Sequence, residues 1–409
     1  MDDKPRNLRA MLAEAKDLSE LMVDLAYAAL YFGDPDMATE VDELEIQMTQ
    51  LVQDMRATCI MAVRHPREAE GMSSVLQVIS AIERIANDAV DISRIVSRRL
   101  GIPAELVADL SSAEEISHRL VVHEGSHMVR RPLGDLELPV VAGMRVMAIR
   151  RERSWITDVR GDQLMMPGDV LFLRGSPAGI MRLHQLAAAP MWEEPVAPED
   201  PWISDLDRAV DVLVEMKDLS EAAVGLAYSA LVLNDRGLAA QVRLLEGRLD
   251  EMNHQLELWV LRAASNNIDP SPLRGLLHLG QAAEDIGDQA RQMISLVVQG
   301  EEVHPILEIA LGDSDEVVVE LPVARLSGAD GASLKELGLN IEPGFTVLAI
   351  RRAGRYIYRP RGSAVLYAGD EIIASGPDEG REALSERFGW NLVREEEGLE
   401  DELQPMGNR

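Results

Sequence analysis

The chain is written twice, and that constrains its fold more than any other feature. Lys16-Asp17-Leu18-Ser19-Glu20 recurs as Lys217-Asp218-Leu219-Ser220-Glu221, and Leu25-Ala26-Tyr27-Ala28-Ala29-Leu30 recurs as Leu226-Ala227-Tyr228-Ser229-Ala230-Leu231. Both pairs stand 201 positions apart. The same offset carries Glu83 onto Glu284, Ala89 onto Ala290 and Gly143 onto Gly344. It also carries Ala148-Ile149-Arg150-Arg151 onto Ala349-Ile350-Arg351-Arg352, and Gly168-Asp169 onto Gly369-Asp370. One offset held over that length makes the 409 residues a tandem duplication of a single unit.

Each copy changes period partway. In the first part, Leu8, Met11, Leu18, Met22, Leu25 and Ala29 recur at helical spacing, as do Met37 to Met55 and Val75 to Val96. Gly33-Asp34-Pro35, His65-Pro66 and Gly101-Ile102-Pro103 break the pattern into three helices, and copy two repeats the plan. Three antiparallel helices with short connections make a small bundle. In the second part, Val317-Val318-Val319 and Thr346-Val347-Leu348-Ala349-Ile350 are β-branched strands. Between them lies a short helix that Ser333 can cap. The predicted fold class is therefore α+β multidomain: a three-helix bundle followed by a small α+β domain, twice. The expected boundaries are 1–108, 112–189, 204–308 and 313–392. An acidic, proline-rich linker spans 190–203 and an acidic tail, frayed from Glu395 on, spans 393–409.

Charge excludes some functions. Seventy acidic residues against 40 basic ones give a net charge of −30. Nucleic-acid binders carry a basic stripe, so no nucleic-acid partner is expected, and anionic membrane surfaces are disfavoured. The bases are almost all arginine, as either a high-salt cytoplasm or a GC-rich genome would produce. The single cysteine, Cys59, excludes a disulfide framework and reads as a small core residue. No run of about 18 apolar residues occurs, and the N-terminus lacks the apolar core of a signal peptide, so a cytoplasmic location is expected. No nucleophile elbow, Gly-x-Gly-x-x-Gly or Gly-x-x-x-x-Gly-Lys is present, and no enzymatic activity is expected.

Three groups of residues are candidates for chemistry. On the third helix of each bundle Glu83, Asn87 and Asp91, and Glu284, Asp288 and Gln292, are stacked four apart. A metal would offset their repulsion, and a solvated acidic face is the alternative. The first helix carries Asp17, Glu20 and Asp24 with Tyr27 and Tyr31 off its apolar face. His118, His123 and His127 cluster in copy one, but copy two has Val319, Ala324 and Gly328 there, so the unit does not need them. Finally, Arg150-Arg151 and Arg351-Arg352 end the same strand in both copies. They form either a fork for phosphate or carboxylate, or surface pairs to local acids.

These residues resemble two known families. Leu334-Lys335-Glu336-Leu337-Gly338, Gly344 through Arg352, Pro360, Leu366, Gly369-Asp370 and Gly376 look like the TrkA C-terminal domain, the C-terminal part of regulators of potassium conductance. Copy one fits from Leu133-Gly134-Asp135-Leu136 through Gly175, without the equivalent of Pro360. The resemblance implies domains that pair and sense a small ligand, cyclic di-AMP in several members. The helical parts resemble PhoU, built from two three-helix repeats with a Glu-Arg-Ile-x-Asp-x-Ala-x-Asn type motif. Here that is Glu83-Arg84-Ile85-Ala86-Asn87-Asp88-Ala89-Val90-Asp91 and Glu284-Asp285-Ile286-Gly287-Asp288-Gln289-Ala290. In that family the acidic members hold iron or zinc, which makes Glu83, Asn87, Asp91, Glu284 and Asp288 the candidate ligands. Arg150, Arg151, Arg351 and Arg352 are the candidate small-ligand contacts.

The combination implies a cytoplasmic, ligand-sensing regulator of a membrane potassium channel or transporter, peripheral to that partner. Two alternatives stay open: a PhoU-like regulator of phosphate transporter components, and a metal-dependent hydrolase using the helix carboxylates. The two bundles are expected to join through their polar, tyrosine-bearing faces. The two α+β domains are expected to pair as an intramolecular pseudo-dimer, with a homodimer as a further arrangement.

Overall fold

The computed structural model describes residues 7–103, 115–152, 154–192, 204–265, 270–300, 303–312, 316–393 and 402–406, together with Leu106, Asp109, Leu110, Ala113 and Ser314. Most of the expected linker, and the tail positions 394–401 and 407–409, lie outside the described residues.

Copy one runs α1 (Leu8–Phe32), α2 (Pro35–Ala62), α3 (Pro66–Ser97), β1 (Ile116–Val121), α4 (Leu138–Ala142), β2 (Met144–Arg151), β3 (Ser154–Ile156), β4 (Val170–Gly175) and α5 (Ile180–Leu186). Copy two begins with α6 (Asp205–Val232), α7 (Arg236–Ser265), α8 (Pro270–Met293), α9 (Ser295–Gln299) and α10 (Pro305–Gly312). It continues with β5 (Glu316–Pro322), α11 (Leu334–Leu337), β6 (Thr346–Arg352), β7 (Arg355–Tyr358), β8 (Glu371–Pro377), α12 (Arg381–Arg387), β9 (Trp390–Val393) and β10 (Glu402–Pro405).

The chain forms two compact units that cut across the copies. One gathers residues 1–118 and 193–314, and the other gathers 119–192 and 315–409. Like therefore packs with like: bundle with bundle, sheet with sheet.

In the helical unit the ends are set by local chemistry. Asn7 caps α1, and Asp34 accepts the amides of Asp36 and Met37 ahead of Pro35 at the start of α2. The apolar stripes are buried as their spacing demands, Cys59 included. α3 and α8 lie side by side and antiparallel. Near the start of α3, Gln77 donates to Ser295 Oγ and to the Gln292 carbonyl, while Gly101 beyond its end stands against Ser271 and Pro272 at the start of α8.

In the second unit each copy contributes a four-stranded sheet, in the orders β1-β4-β2-β3 and β5-β8-β6-β7. The register breaks at the same place in both, between Val146 and Ala148 and between Val347 and Ala349. Ser333 caps α11 in a reciprocal box with Glu336, as the sequence predicts. Phe345, Ile350, Ile372 and Phe388 fill the core of the second sheet domain. The expected tail needs correction. Glu402–Pro405 pairs antiparallel with Trp390–Val393, and Leu403 packs on that core, so an apolar residue amid the acidic run draws it back onto the fold.

Candidate functional site

Among the described residues the two copies meet at the α1–α6 clamp, along α3 and α8 and between the sheet domains, and the candidate residues distribute around these contacts. In the helical unit the polar face of α1 meets that of α6 through a reciprocal clamp. Lys16 is almost fully buried, donates to Glu20 at 3.0 Å, and stands 5.2 Å above the ring of Tyr228. Lys217 is likewise buried, donates to Glu221 at 2.9 Å, and stands 5.4 Å above the ring of Tyr27. Each lysine thus binds a carboxylate of its own helix and an aromatic face of the other copy. Burial, with Glu221 and Asp218 close by, drives the Tyr27 phenol well above its usual range, so it stays protonated.

At the α3–α8 seam acids crowd around Asp88 and Glu284. Burial pushes the Asp88 carboxyl up to about 8, with Asp285, Asp91 and Glu284 adding to the rise and Arg84 opposing it. Burial also lifts Glu284 to about 7, helped by Asp250, Asp285 and Asp288. Asp88 and Gln289, equivalent under the duplication, each bury one side-chain oxygen without a hydrogen bond.

The candidate metal ligands do not gather. Glu83 is bound by Arg56 at 2.6 Å, Asp91 by Arg94 at 2.6 Å and Asp288 by Arg291 at 3.0 Å, while Asn87 is exposed and Glu284 accepts from Gln281. Among the described residues no three acidic, histidine or cysteine side chains are grouped so as to hold a metal ion. Arginines hold Glu83, Asp91 and Asp288 in this arrangement, so a metal ion there would have to displace them. His118 is buried, whereas His123 and His127 are exposed.

The candidate arginines divide by their place on the strand. Successive strand residues face opposite ways, so Arg150 and Arg151 serve different surfaces, as do Arg351 and Arg352. Arg151 grips the buried Asp169 with two bonds of 2.8 Å and donates to the Leu164 carbonyl. Arg352 does the same with Asp370, at 2.7 and 2.6 Å, and with the Val365 carbonyl. These bidentate forks pin the Gly-Asp turn to the strand in both copies. Arg351 binds Glu320 and Glu371, and Arg150 lies over the rings of Trp155 and Phe172. The local-pair reading accounts for Arg151, Arg351 and Arg352.

The sheet domains meet backbone to backbone. A Cβ at Gly143 would overlap the Asn340 carbonyl oxygen, and one at Gly344 would overlap that of Pro139. Pro139 and Asn340 are equivalent under the duplication, so the contact is reciprocal. Asn340 also donates to Ser176 at 3.0 Å, and Arg182 meets Glu342. Sequence reasoning missed the buried lysines, although two of only four lysines in the chain fall in the most faithfully repeated pentapeptide. It missed Asp88 as well, for which the duplication gives no signal because copy two has Gln289.

Comparison with known proteins fits this division. Residues 12–96 and 213–297 match the PhoU domain, and residues 118–188 and 318–389 match the TrkA-C domain. Among solved structures, PhoU from Pseudomonas aeruginosa is 17% identical with a TM-score of 0.39, the match covering 72% of this chain and 96% of that one. The GsuK RCK domain is 15% identical with a TM-score of 0.18, covering 68% of this chain and 64% of that one. The GsuK channel bound to NAD is 14% identical with a TM-score of 0.19, covering 78% and 65%. The chain thus spans just under two thirds of the GsuK chains. No curated protein matches. The domain models cover most of both copies, and they make this chain two PhoU domains alternating with two TrkA-C domains.

Proposed function

We propose that this protein is a ligand-sensing regulator of a membrane cation channel or transporter, with potassium as the cation. The observation that carries the reading is the pairing of two TrkA-C domains within one unit of a chain whose other unit is a pair of PhoU domains. TrkA-C domains resemble the sensing part of potassium-conductance regulators, and a paired arrangement supplies both halves of a ligand site from one chain. In this reading a small ligand binds the paired sheet domains in one of two arrangements and shifts their population. The helical unit then engages its partner more or less strongly. No helix among the described residues is long and apolar enough to cross a membrane. In this reading the protein acts on a separate membrane partner from the cytoplasmic side.

Calorimetry of the purified protein against cyclic dinucleotides, ATP and NAD tests the sensing step. Saturable heat with one of them is expected, and none with any of them removes the sensing claim. The PhoU domains favour a second reading, regulation of phosphate transport. Ion uptake by cells lacking the protein separates the two. Altered potassium uptake with unchanged phosphate uptake supports the first, and the reverse supports the second.

A further inference from the structure

The two sheet domains differ at one place in a way that points to a ligand. In copy two, the ring of Tyr367 stacks on the guanidinium of Arg352, 4.9 Å from ring centroid to Cζ. The equivalent arginine in copy one, Arg151, makes the same fork to Asp169, but the residue equivalent to Tyr367 is Met166. Arg151 there lines an open cleft of about 670 Å³ together with Glu152, Asp162, Leu164 and Met166. Leu164 and Met166 expose large apolar surface at its wall. The acids at its edge are also peculiar to this copy, because copy two has Ala353 for Glu152 and Ser363 for Asp162. One copy has the ring and lacks the acids; the other has the acids and lacks the ring.

We propose that this cleft binds a small molecule with an electron-rich planar aromatic ring and a cationic amino group, its ring taking the place that Tyr367 fills in the second copy. Because Asp169 occupies the edge of the Arg151 fork, a ligand meets the flat face of the guanidinium, and that face favours an aromatic ring. Leu164 and Met166 supply apolar contact beside the ring, and a cleft of this volume accepts a small molecule. Glu152 and Asp162 select for an ammonium or amino donor and against phosphate or carboxylate. The site is built within one sheet domain and does not depend on which transporter the protein serves.

Tryptamine is the probe, with indole-3-acetate (ring with a carboxylate) and cyclohexylamine (ammonium without a ring) as partial ligands. Titration of the full chain followed by calorimetry should show saturable tryptamine binding, with each partial ligand about tenfold weaker or more. Met166→Tyr, which copies the second domain, should weaken tryptamine at least about tenfold while leaving the melting temperature unchanged, because the new ring fills the cleft. The double variant Glu152→Ala/Asp162→Ser, also copied from the second domain, should erase the preference for tryptamine over indole-3-acetate. No saturable tryptamine binding at millimolar concentration overturns the proposal. So does undiminished binding by Met166→Tyr, or an unchanged preference in the double variant.

Discussion

Two of the seams between the copies are built by opposite means. In the helical unit the copies reach each other through long charged side chains, Lys16 to Tyr228 and Lys217 to Tyr27. In the sheet unit the tightest approach is backbone on backbone, Gly143 against the Asn340 carbonyl and Gly344 against that of Pro139, with the Asn340–Ser176 bond and the Arg182–Glu342 pair beside it. Both seams are reciprocal, as a duplicated chain allows. A side-chain seam is soft in geometry and sensitive to charge, since each lysine needs both its carboxylate and its ring. A backbone seam is indifferent to charge and has no room for a single extra carbon.

The largest expected effect breaks the backbone seam. Gly143→Ala and Gly344→Ala each place a methyl group on a carbonyl oxygen at a position with positive φ. Left-handed backbone costs an L-residue about 1–2 kcal/mol, and overpacking adds about 1–3. Each variant should lose about 4 kcal/mol of stability in denaturant unfolding. Gly168→Ala, also at positive φ but facing open space, serves as the control and should lose only the backbone share. Equal losses at Gly143 and Gly168 would mean that the close approach contributes nothing.

The side-chain seam breaks less and can be repaired. Lys16→Met leaves Glu20 and Asp17 without their buried cation, at a cost of about 3 kcal/mol. Adding Glu20→Leu removes the stranded charge and should recover most of that loss. No such second-site repair exists for Gly143, because nothing but removing the Cβ makes room. If Lys16→Met melts like the parent protein, the clamp is decoration. If the double variant stays as unstable as the single one, its charge pairing is not what stabilises the seam.

The difference between the seams also explains what the sequence could disclose. Helix ends, the Ser333–Glu336 capping box and the duplication are local or periodic signals, and all of them were readable. The polar, tyrosine-bearing face of α1 was readable as a face, since Asp17, Glu20 and Tyr27 lie off its apolar stripe. Its partner, the equivalent face of copy two, was readable from the duplication, but the contacts of Lys16 with Tyr228 and of Lys217 with Tyr27 were not, because cation–π geometry leaves no local pattern. The spacing of Glu83, Asn87, Asp91, Glu284 and Asp288 along single helices could not disclose which side chains from other helices reach them. Arg56 arrives from α2 to take Glu83, a pairing that only tertiary packing fixes. For the paired arginines the strand's period of two was readable: neighbours on a strand face opposite ways, so Arg150 and Arg151 serve different surfaces. The Cβ-free approach of Gly143 was invisible because a repeated glycine announces a backbone need without naming it.

The smallest expected effect sharpens the comparison through pH, since Asp88 and Glu284, the seam acids raised to about 8 and about 7, lie in the helical unit. Asp88 has a carboxyl raised to about 8 in the folded chain, against an ordinary value near 4 in the unfolded one. The folded state therefore holds a proton that the unfolded state releases. The stability linked to this proton is fully present below the unfolded value and is lost as pH rises through about 4 to 8. Between pH 6 and pH 8 the loss should be about 2 kcal/mol. Glu284, raised to about 7, adds to the fall in the same direction. Asp88→Asn keeps the shape, cannot ionise, and should flatten most of the slope while stabilising the protein at pH 8. Glu284→Gln on top of it should remove much of what is left. Unfolding followed separately in the two units gives the contrast, because Gly143→Ala should cost the sheet unit the same at pH 6 and pH 8. A helical unit whose melting does not fall between those two values would show that Asp88 is ionised in the folded chain, with Arg84 and solvent compensating its charge.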